Sequence, residues 1–149
     1  MIPTKTIFLG SSAAAKSQAN CIIAGARDLP VSFLPWWTAF TAGTTLLPSL
    51  DVISGKVEGA LLLFSQDSPA TIRGSNVDIP SLNVLFELGY FYGKLGSRKV
   101  AMIKYGAFYL PTNLGGYNYI AGSKFFKRSQ GVPLGKAAHA ALAAWIQQV

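Results

Sequence analysis

The sequence predicts an α/β fold in which helices cover both faces of an open, mostly parallel sheet. Residues 7–9, 31–34 and 60–65 are short apolar runs that are typical of buried strands. Helix-like stretches follow these runs, and strand–helix alternation on this scale is typical of a parallel sheet with helices on both faces. For a three-layer sandwich with about five strands, the flavodoxin-like strand order is expected.

The remaining elements follow from composition and from turn and capping residues. Pro48 is tolerated in a helix only if it lies in the first turn, and Gly96 is expected to end a helix. The predicted helices span residues 13–27, 44–55, 80–95 and 134–148. Further strands are expected at residues 99–104 and 117–120, and loops at residues 36–40, 66–78 and 105–116.

Composition excludes several classes of protein. Of the 149 residues, 50% are hydrophobic and 13% are charged, which excludes intrinsic disorder and fits one domain over residues 1–149. The single cysteine, Cys21, excludes a disulfide scaffold and fits a reducing, cytoplasmic compartment. No apolar run approaches the roughly 20 residues that span a bilayer, so no contact with a membrane is expected.

The charge of the chain is uneven. The net charge is +7, and all six carboxylates lie at or before Glu87, whereas eight lysines and arginines follow it. This distribution suits an anionic partner, which leaves open a nucleotide, a polynucleotide or an acidic protein surface. Residues 124–128 combine lysine and arginine with phenylalanine, as proteins that bind single-stranded nucleic acid do. The favoured interpretation is a solvated turn with two core aromatics.

The common cofactor and metal motifs are absent. The sequence contains neither G-x-G-x-x-G nor a phosphate-binding P-loop. One histidine and one cysteine, far apart in the chain, do not supply a metal site, so no metal is expected. His139 lies in an alanine-rich stretch with no nearby partner, and a helix-surface or packing role is favoured over catalysis.

Glu87 is the least ordinary residue of the chain. It lies in an apolar helical stretch with no basic residue three or four positions away, and a buried carboxylate without a partner is costly. One interpretation is a functional carboxylate, and the alternative is a side chain that reaches the surface or pairs with a distant lysine. Asn83 shares its helical face, and Gly89 and Gly93 form a bare strip that another backbone can approach closely.

The run from Asn83 to Val100 resembles the bacterial TIR-like domains of anti-phage effectors that respond to cyclic oligonucleotides, as in TIR-STING and TIR-SAVED proteins. The family pattern is N-V-x-F-E-L-G-x-F-x-G-x-L-G-R-x-R-V, and this chain has NVLFELGYFYGKLGSRKV. Weaker matches lie in the first strand, at the second loop and at the end of the third strand. Ser81 stands where the family commonly has arginine, and Leu47 or Pro48 stands where it has an acidic residue.

The resemblance implies a flavodoxin-like TIR fold and an NAD+ glycohydrolase, with cyclisation of the product as a side activity. It implies Glu87 as the catalytic residue and NAD+ as the substrate, with no further cofactor. Substrate contacts are expected from the carboxyl ends of the strands and from the helix that carries Glu87, at Gly10, Ser11, Ser12, Trp37, Phe40, Asp67 and Asn83.

Family members are usually one domain of a larger effector. The resemblance therefore implies that residues 1–149 are the N-terminal part of a longer protein or a separate subunit. A STING-like or similar sensor domain would bind a cyclic oligonucleotide and drive the TIR domains into an oligomer or filament. Direct binding of nucleic acid is not expected. The alternatives are a catalytically silent TIR-type interaction module and a nucleotide-binding domain.

Overall fold

The computed structural model describes residues 3–111, 114 and 118–149. The chain alternates strands and helices, with single 3-10 turns at Ala13–Ala15 and Ser97–Lys99. In order, the elements are β1 (Lys5–Gly10), α1 (Lys16–Gly25), β2 (Val31–Pro35), α2 (Trp36–Ala39), α3 (Leu46–Ser54), β3 (Gly59–Phe64), β4 (Ser68–Ile72), β5 (Ser75–Ile79), α4 (Leu82–Leu95), β6 (Val100–Tyr105), β7 (Tyr119–Ser123) and α5 (Lys136–Gln148).

The central sheet is parallel throughout. Its five strands are ordered β2–β1–β3–β6–β7, and β4 and β5 form a separate antiparallel pair. Without that pair the order is the flavodoxin-like 2-1-3-4-5, so the predicted fold class is confirmed. The carboxyl ends of all five strands meet at one edge of the sheet, which is where ligands bind in this fold.

Alternating side chains of the strands supply two hydrophobic cores, one on each face. Every residue of β3 is buried, as expected for a strand that helices cover on both sides. One core joins the sheet to α1 and α5 through Leu9, Ile22, Leu61, Ile103, Leu142 and Trp145, among others. The other joins the sheet to α3 and α4 through Phe8, Leu50, Leu62, Phe64, Leu88 and Phe91, among others.

The prediction of a loop at residues 66–78 was wrong, because β4 and β5 form a hairpin there. The hairpin turns at Arg73 and Gly74, which both have positive φ, at 49° and 80°. Two positive φ angles define the tight turn that matches the twist of paired strands. No residue of either strand is fully buried, and the five exposed and five half-buried residues do not alternate regularly in the sequence, so the pattern of a half-buried strand is missing.

The prediction of a loop at residues 36–40 was also wrong, because Trp36–Ala39 form a single helical turn. Pro35 precedes it with extended backbone, and its carbonyl accepts a hydrogen bond from the Thr38 hydroxyl at 3.1 Å. The Phe40 N–H donates to the Trp36 carbonyl at 3.1 Å. Bulky aromatic residues have low helix propensity, so propensity alone does not predict this helical turn.

Predicted boundaries hold to within a few residues elsewhere. Pro48 lies in the first turn of α3, and Gly96 ends α4 with a φ of 88°, both as predicted. The fifth strand was predicted at residues 117–120 but runs from Tyr119 to Ser123, and residue 117 lies outside the described residues. No helix in the described part of the chain is long and apolar enough to cross a membrane.

Candidate functional site

Helix α4 places Glu87 against the carboxyl end of β1. The side chain is buried, with 5% of its surface exposed, among the apolar residues that pack α4 on the sheet. A methyl group at Gly10, the last residue of β1, would lie 2.8 Å from Glu87 Oε2. Glycine is therefore what leaves room for this carboxyl group at the ligand-binding edge of the sheet.

The described residues supply no hydrogen-bond partner for Glu87 Oε2. This oxygen is buried, and no ion pair joins Glu87 to a basic side chain among the described residues. Both structural interpretations, exposure at the surface and pairing with a distant lysine, are thereby excluded. Desolvation by burial raises the pKa of Glu87 from 4.5 to about 7.

This burial predicts that the fold loses stability as the pH rises. Below pH 4.5 the folded and unfolded states both hold the proton, so the stability that the neutral acid permits is fully present. Between pH 4.5 and about 7 only the unfolded state releases the proton. Stability therefore falls as the pH rises through the folded pKa, by about 3 kcal/mol in all.

Urea unfolding of the wild type and of Glu87→Gln measures this effect. Glutamine has the same shape and does not titrate, so the variant lacks the pH dependence that Glu87 contributes. The difference in unfolding free energy should grow in favour of the variant by about 2 to 3 kcal/mol between pH 5 and pH 8. A difference that is independent of pH would show that Glu87 ionises freely in the folded protein.

Ser11 and Ser12 follow β1, where a substrate contact was predicted. The Trp36 indole N–H donates to Ser11 Oγ at 2.8 Å, and the Ser11 hydroxyl donates to the Ser12 carbonyl at 2.9 Å. Ser11 is thus buried within a hydrogen-bonded turn, whereas Ser12 is half-buried. Sequence reasoning missed this role of Trp36, because nothing in the local pattern pairs an indole with a serine 25 residues away.

Asp67 ties three elements together at the same edge. Its carboxylate accepts hydrogen bonds from the Ser12 hydroxyl at 2.6 Å, the Ser65 hydroxyl at 3.3 Å and the Ser81 N–H at 2.8 Å. Of the two roles that the sequence left open for Asp67, these bonds favour loop capping. The Asp67 backbone carbonyl also accepts a hydrogen bond from Arg128 Nη2 at 2.6 Å.

Asn83 is exposed one helical turn before Glu87. It lines an open cavity of about 370 Å³, here called the Asn83 cavity, together with Ser12, Asp67 and the start of α4. Three of the predicted substrate contacts therefore surround one cavity at the start of α4, and Glu87, one helical turn further along, is not among the residues that line it.

The two predicted aromatic contacts differ in their surroundings. Phe40 packs edge-on against Phe8, with ring centroids 6.1 Å apart, and belongs to the core beneath α4. Trp37 packs against the opposite core, and the Lys16 ammonium lies 5.0 Å from its ring centroid. The structure thus brings only Phe40 to the face of the sheet that carries Glu87.

His139 has a partner, contrary to the prediction. Its Nε2 lies 2.9 Å from Asp28 Oδ1, and this hydrogen bond holds the pKa of the Asp28 carboxyl below its ordinary value. Asp28 follows α1, and α5, which carries His139, packs on the face of the sheet opposite α4. The predicted surface role of His139 fits this placement. No three or more His, Cys, Asp or Glu side chains among the described residues are grouped as metal ligands would be.

Together these features define a flavodoxin-like α/β domain with one buried, unpaired carboxyl group at the carboxyl edge of its sheet. A family model described as "CAP12/Pycsar effector protein, TIR domain" matches residues 6–124. The chain belongs to this family of TIR domains, which confirms its resemblance to the bacterial TIR-like domains of anti-phage effectors.

Curated relatives are longer than this chain. CD-NTase-associated protein 12 from Sphingobacterium faecium is 33% identical over 125 residues, covering 84% of this chain and 38% of that protein. The uncharacterized protein YuaY of Escherichia coli K12 is 35% identical over 77 residues, covering 50% of this chain and 26% of that protein. CD-NTase-associated protein 12 from Flavobacterium daejeonense is 39% identical over 54 residues, covering 36% and 17%. The chain therefore spans well under half the length of these relatives.

Proposed function

We propose that this domain is an NAD+ glycohydrolase in which Glu87 stabilises the ribosyl cation that forms as nicotinamide leaves. The observation that carries the proposal is the burial of Glu87 beside Gly10, with no hydrogen bond from the described residues to its Oε2, at the edge where this fold binds ligands. A buried carboxyl group with a raised pKa is a functional-site candidate, because its burial costs folding stability.

The chemistry suits a site with a single carboxylate. The bond between ribose C1′ and the pyridinium nitrogen breaks, and its electron pair returns to the ring, so the cationic nicotinamide leaves as a neutral molecule. No general acid is needed, unlike in ordinary glycosidases, which use two carboxyl groups. Water then adds to C1′ and loses a proton, which yields ADP-ribose. The demand that remains is to stabilise positive charge on the ribose, and a carboxylate in a dry site does so strongly.

The cationic substrate also sets the protonation state of Glu87. With a pKa of about 7, the empty site is a mixture of acid and carboxylate at neutral pH. A positive charge nearby favours the carboxylate. Binding of the pyridinium ring is therefore coupled to release of a proton, and the stabilising charge is present when the bond begins to break.

We propose that self-association activates the domain, and that a sensor domain of the STING type or another type drives this assembly in a longer effector. The apolar side chains of Leu82 and Phe86 on α4 are 68% and 48% exposed. Methyl groups added at Gly89 and Gly93 would meet nothing within 4 Å. This open strip beside the cavity supports a role for α4 in packing against another chain.

Clustering of the protein tests the proposal. The dilute chain should release little nicotinamide from NAD+, whereas the same chain tethered densely on vesicles or held with a crowding polymer should release it steadily. Mass spectrometry of the products separates linear from cyclic ADP-ribose. Absence of release at every density would favour the catalytically silent interaction module, and high activity in dilute monomer would contradict activation by assembly.

A further inference from the structure

Residues 124–128, here called the basic crossover segment, lie across the carboxyl edge of the sheet. The segment begins directly after β7, and at its other end Arg128 Nη2 donates to the Asp67 backbone carbonyl at 2.6 Å. Asp67 follows β3, and β6 lies between β3 and β7 in the sheet. The segment therefore passes the end of β6 and arrives beside the residues that surround the Asn83 cavity.

The cations of this segment are not neutralised. Within the described residues no ion pair involves Lys124, Lys127 or Arg128, and no carboxylate side chain follows Glu87 in the sequence. Arg128 is anchored by a neutral carbonyl rather than by a carboxylate, so its full charge and its remaining N–H donors stay available. An arginine held in this way is suited to an anionic ligand.

A second cavity adjoins the segment. It has a volume of about 260 Å³, and Lys104 and Lys124 both line it together with Ser123. The Lys104 ammonium lies 4.7 Å from the centroid of the Phe108 ring and 5.5 Å from that of the Tyr119 ring, and no ion pair engages it among the described residues. Two lysine side chains and a serine hydroxyl are suited to a phosphate group.

The aromatic residues of the segment divide between two roles. Phe126 packs against the core beneath α1 and α5, as the structural interpretation of the sequence expected. Phe125 does not, because its side chain is 75% exposed. An exposed ring among unneutralised cations is a surface on which a flat base can stack.

We propose that the basic crossover segment, with Lys104, is a subsite that binds the phosphate groups of a dinucleotide whose ribosyl end lies at Glu87. The inference rests on the proposed function, because that function supplies a substrate with two phosphates. The guanidinium of Arg128 pairs with phosphate oxygens through parallel hydrogen bonds, and the lysines act as point charges. The subsite adds affinity and orientation but takes no part in bond cleavage.

Two ligands distinguish phosphate binding at this subsite from cleavage of the glycosidic bond. ADP-ribose carries both phosphates and lacks the scissile bond, whereas nicotinamide riboside carries the scissile bond and lacks phosphate. Calorimetry with the clustered chain should show that Arg128→Gln weakens ADP-ribose binding about tenfold or more, and that Lys124→Gln weakens it by a smaller factor. Binding and cleavage of nicotinamide riboside should fall by much less than ADP-ribose binding does in both variants.

Arg27→Gln is the matched control, because it removes the same charge from an exposed site after α1, away from this edge. Arg128→Lys keeps the charge and should retain part of the affinity, which distinguishes a phosphate contact from the anchoring of Asp67. Thermal unfolding of each variant checks the fold.

Three results overturn the subsite: no binding of ADP-ribose by the clustered wild type, equal binding by Arg128→Gln and wild type, or much tighter binding of a single-stranded oligonucleotide with steep salt dependence. ADP-ribose binding that depends on Arg128 without any release of nicotinamide would support the subsite and refute only the proposed function.

Discussion

Replacing Glu87 by glutamine is expected to lower nicotinamide release from NAD+ by about a hundredfold to a thousandfold. Glutamine keeps the shape of the side chain and removes its negative charge. Glu87 is the one buried charged side chain among the described residues, so no second buried carboxylate is present to replace it. The loss should therefore appear in the rate of the chemical step more than in the affinity for NAD+.

The measurement compares clustered wild type, Glu87→Gln and Glu58→Gln. Glu58 is an exposed carboxylate directly before β3, at the opposite edge of the sheet, so the same substitution there should leave release unchanged. Glu87→Gln should remain folded, because a neutral amide is less costly to bury than a carboxylate. Release at the wild-type rate from a folded Glu87→Gln variant would refute the catalytic assignment.

Gly10→Ala is expected to abolish most of the activity and to destabilise the fold by about 1 to 3 kcal/mol. The new methyl group would lie 2.6 Å from Leu62 Cδ1 and 2.8 Å from Glu87 Oε2. Leu62 is fully buried in β3 and has little room to move, so the carboxyl group is the more movable neighbour. Its displacement from the end of β1 would misplace the charge that the reaction requires.

Gly89→Ala provides the matched control for this substitution. A methyl group there meets nothing within 4 Å, and alanine favours the helical backbone of α4. Unfolding free energy of the dilute chain should therefore rise slightly in Gly89→Ala and fall in Gly10→Ala. The catalytic geometry described for Gly10 would be wrong if Gly10→Ala released nicotinamide as fast as the wild type.

The sequence was sufficient to predict the sheet. Apolar runs such as residues 60–65 have no polar alternation, and only burial on both faces explains such runs. Helix ends were also predictable where a residue has one conformational role, as Gly96 does at a φ of 88°. These signals are local, so they predict strands and helix ends without knowledge of the rest of the fold.

The hairpin β4–β5 was not predictable from such signals. Its strands lie outside the central sheet and contain no fully buried residue, so their side chains carry little periodicity. Arg73 adopts a φ of 49°, which residues other than glycine, asparagine and aspartate seldom adopt. The turn is therefore set by the pairing of the two strands rather than by a characteristic turn sequence.

The sequence was sufficient to single out Glu87 but not to predict the hydrogen bonds around Asp67. Glu87 stood out because a lone acid in an apolar helix conflicts with its neighbours. The contacts of Asp67 with Ser12 and Arg128 join residues 55 and 61 positions apart, and no local pattern reports such distances. Polar networks at the ends of parallel strands become visible only once the strand order is known.

The burial of Glu87 makes folding stability and the proposed activity respond in opposite directions to pH. Acidification strengthens the folded state through this group while it converts the carboxylate into a neutral acid that can no longer steady a cation. Under the proposed function, acidic conditions therefore favour the folded state through Glu87 and lower the activity. Under the proposed function, the positive charge of the pyridinium ring favours loss of this proton when NAD+ binds.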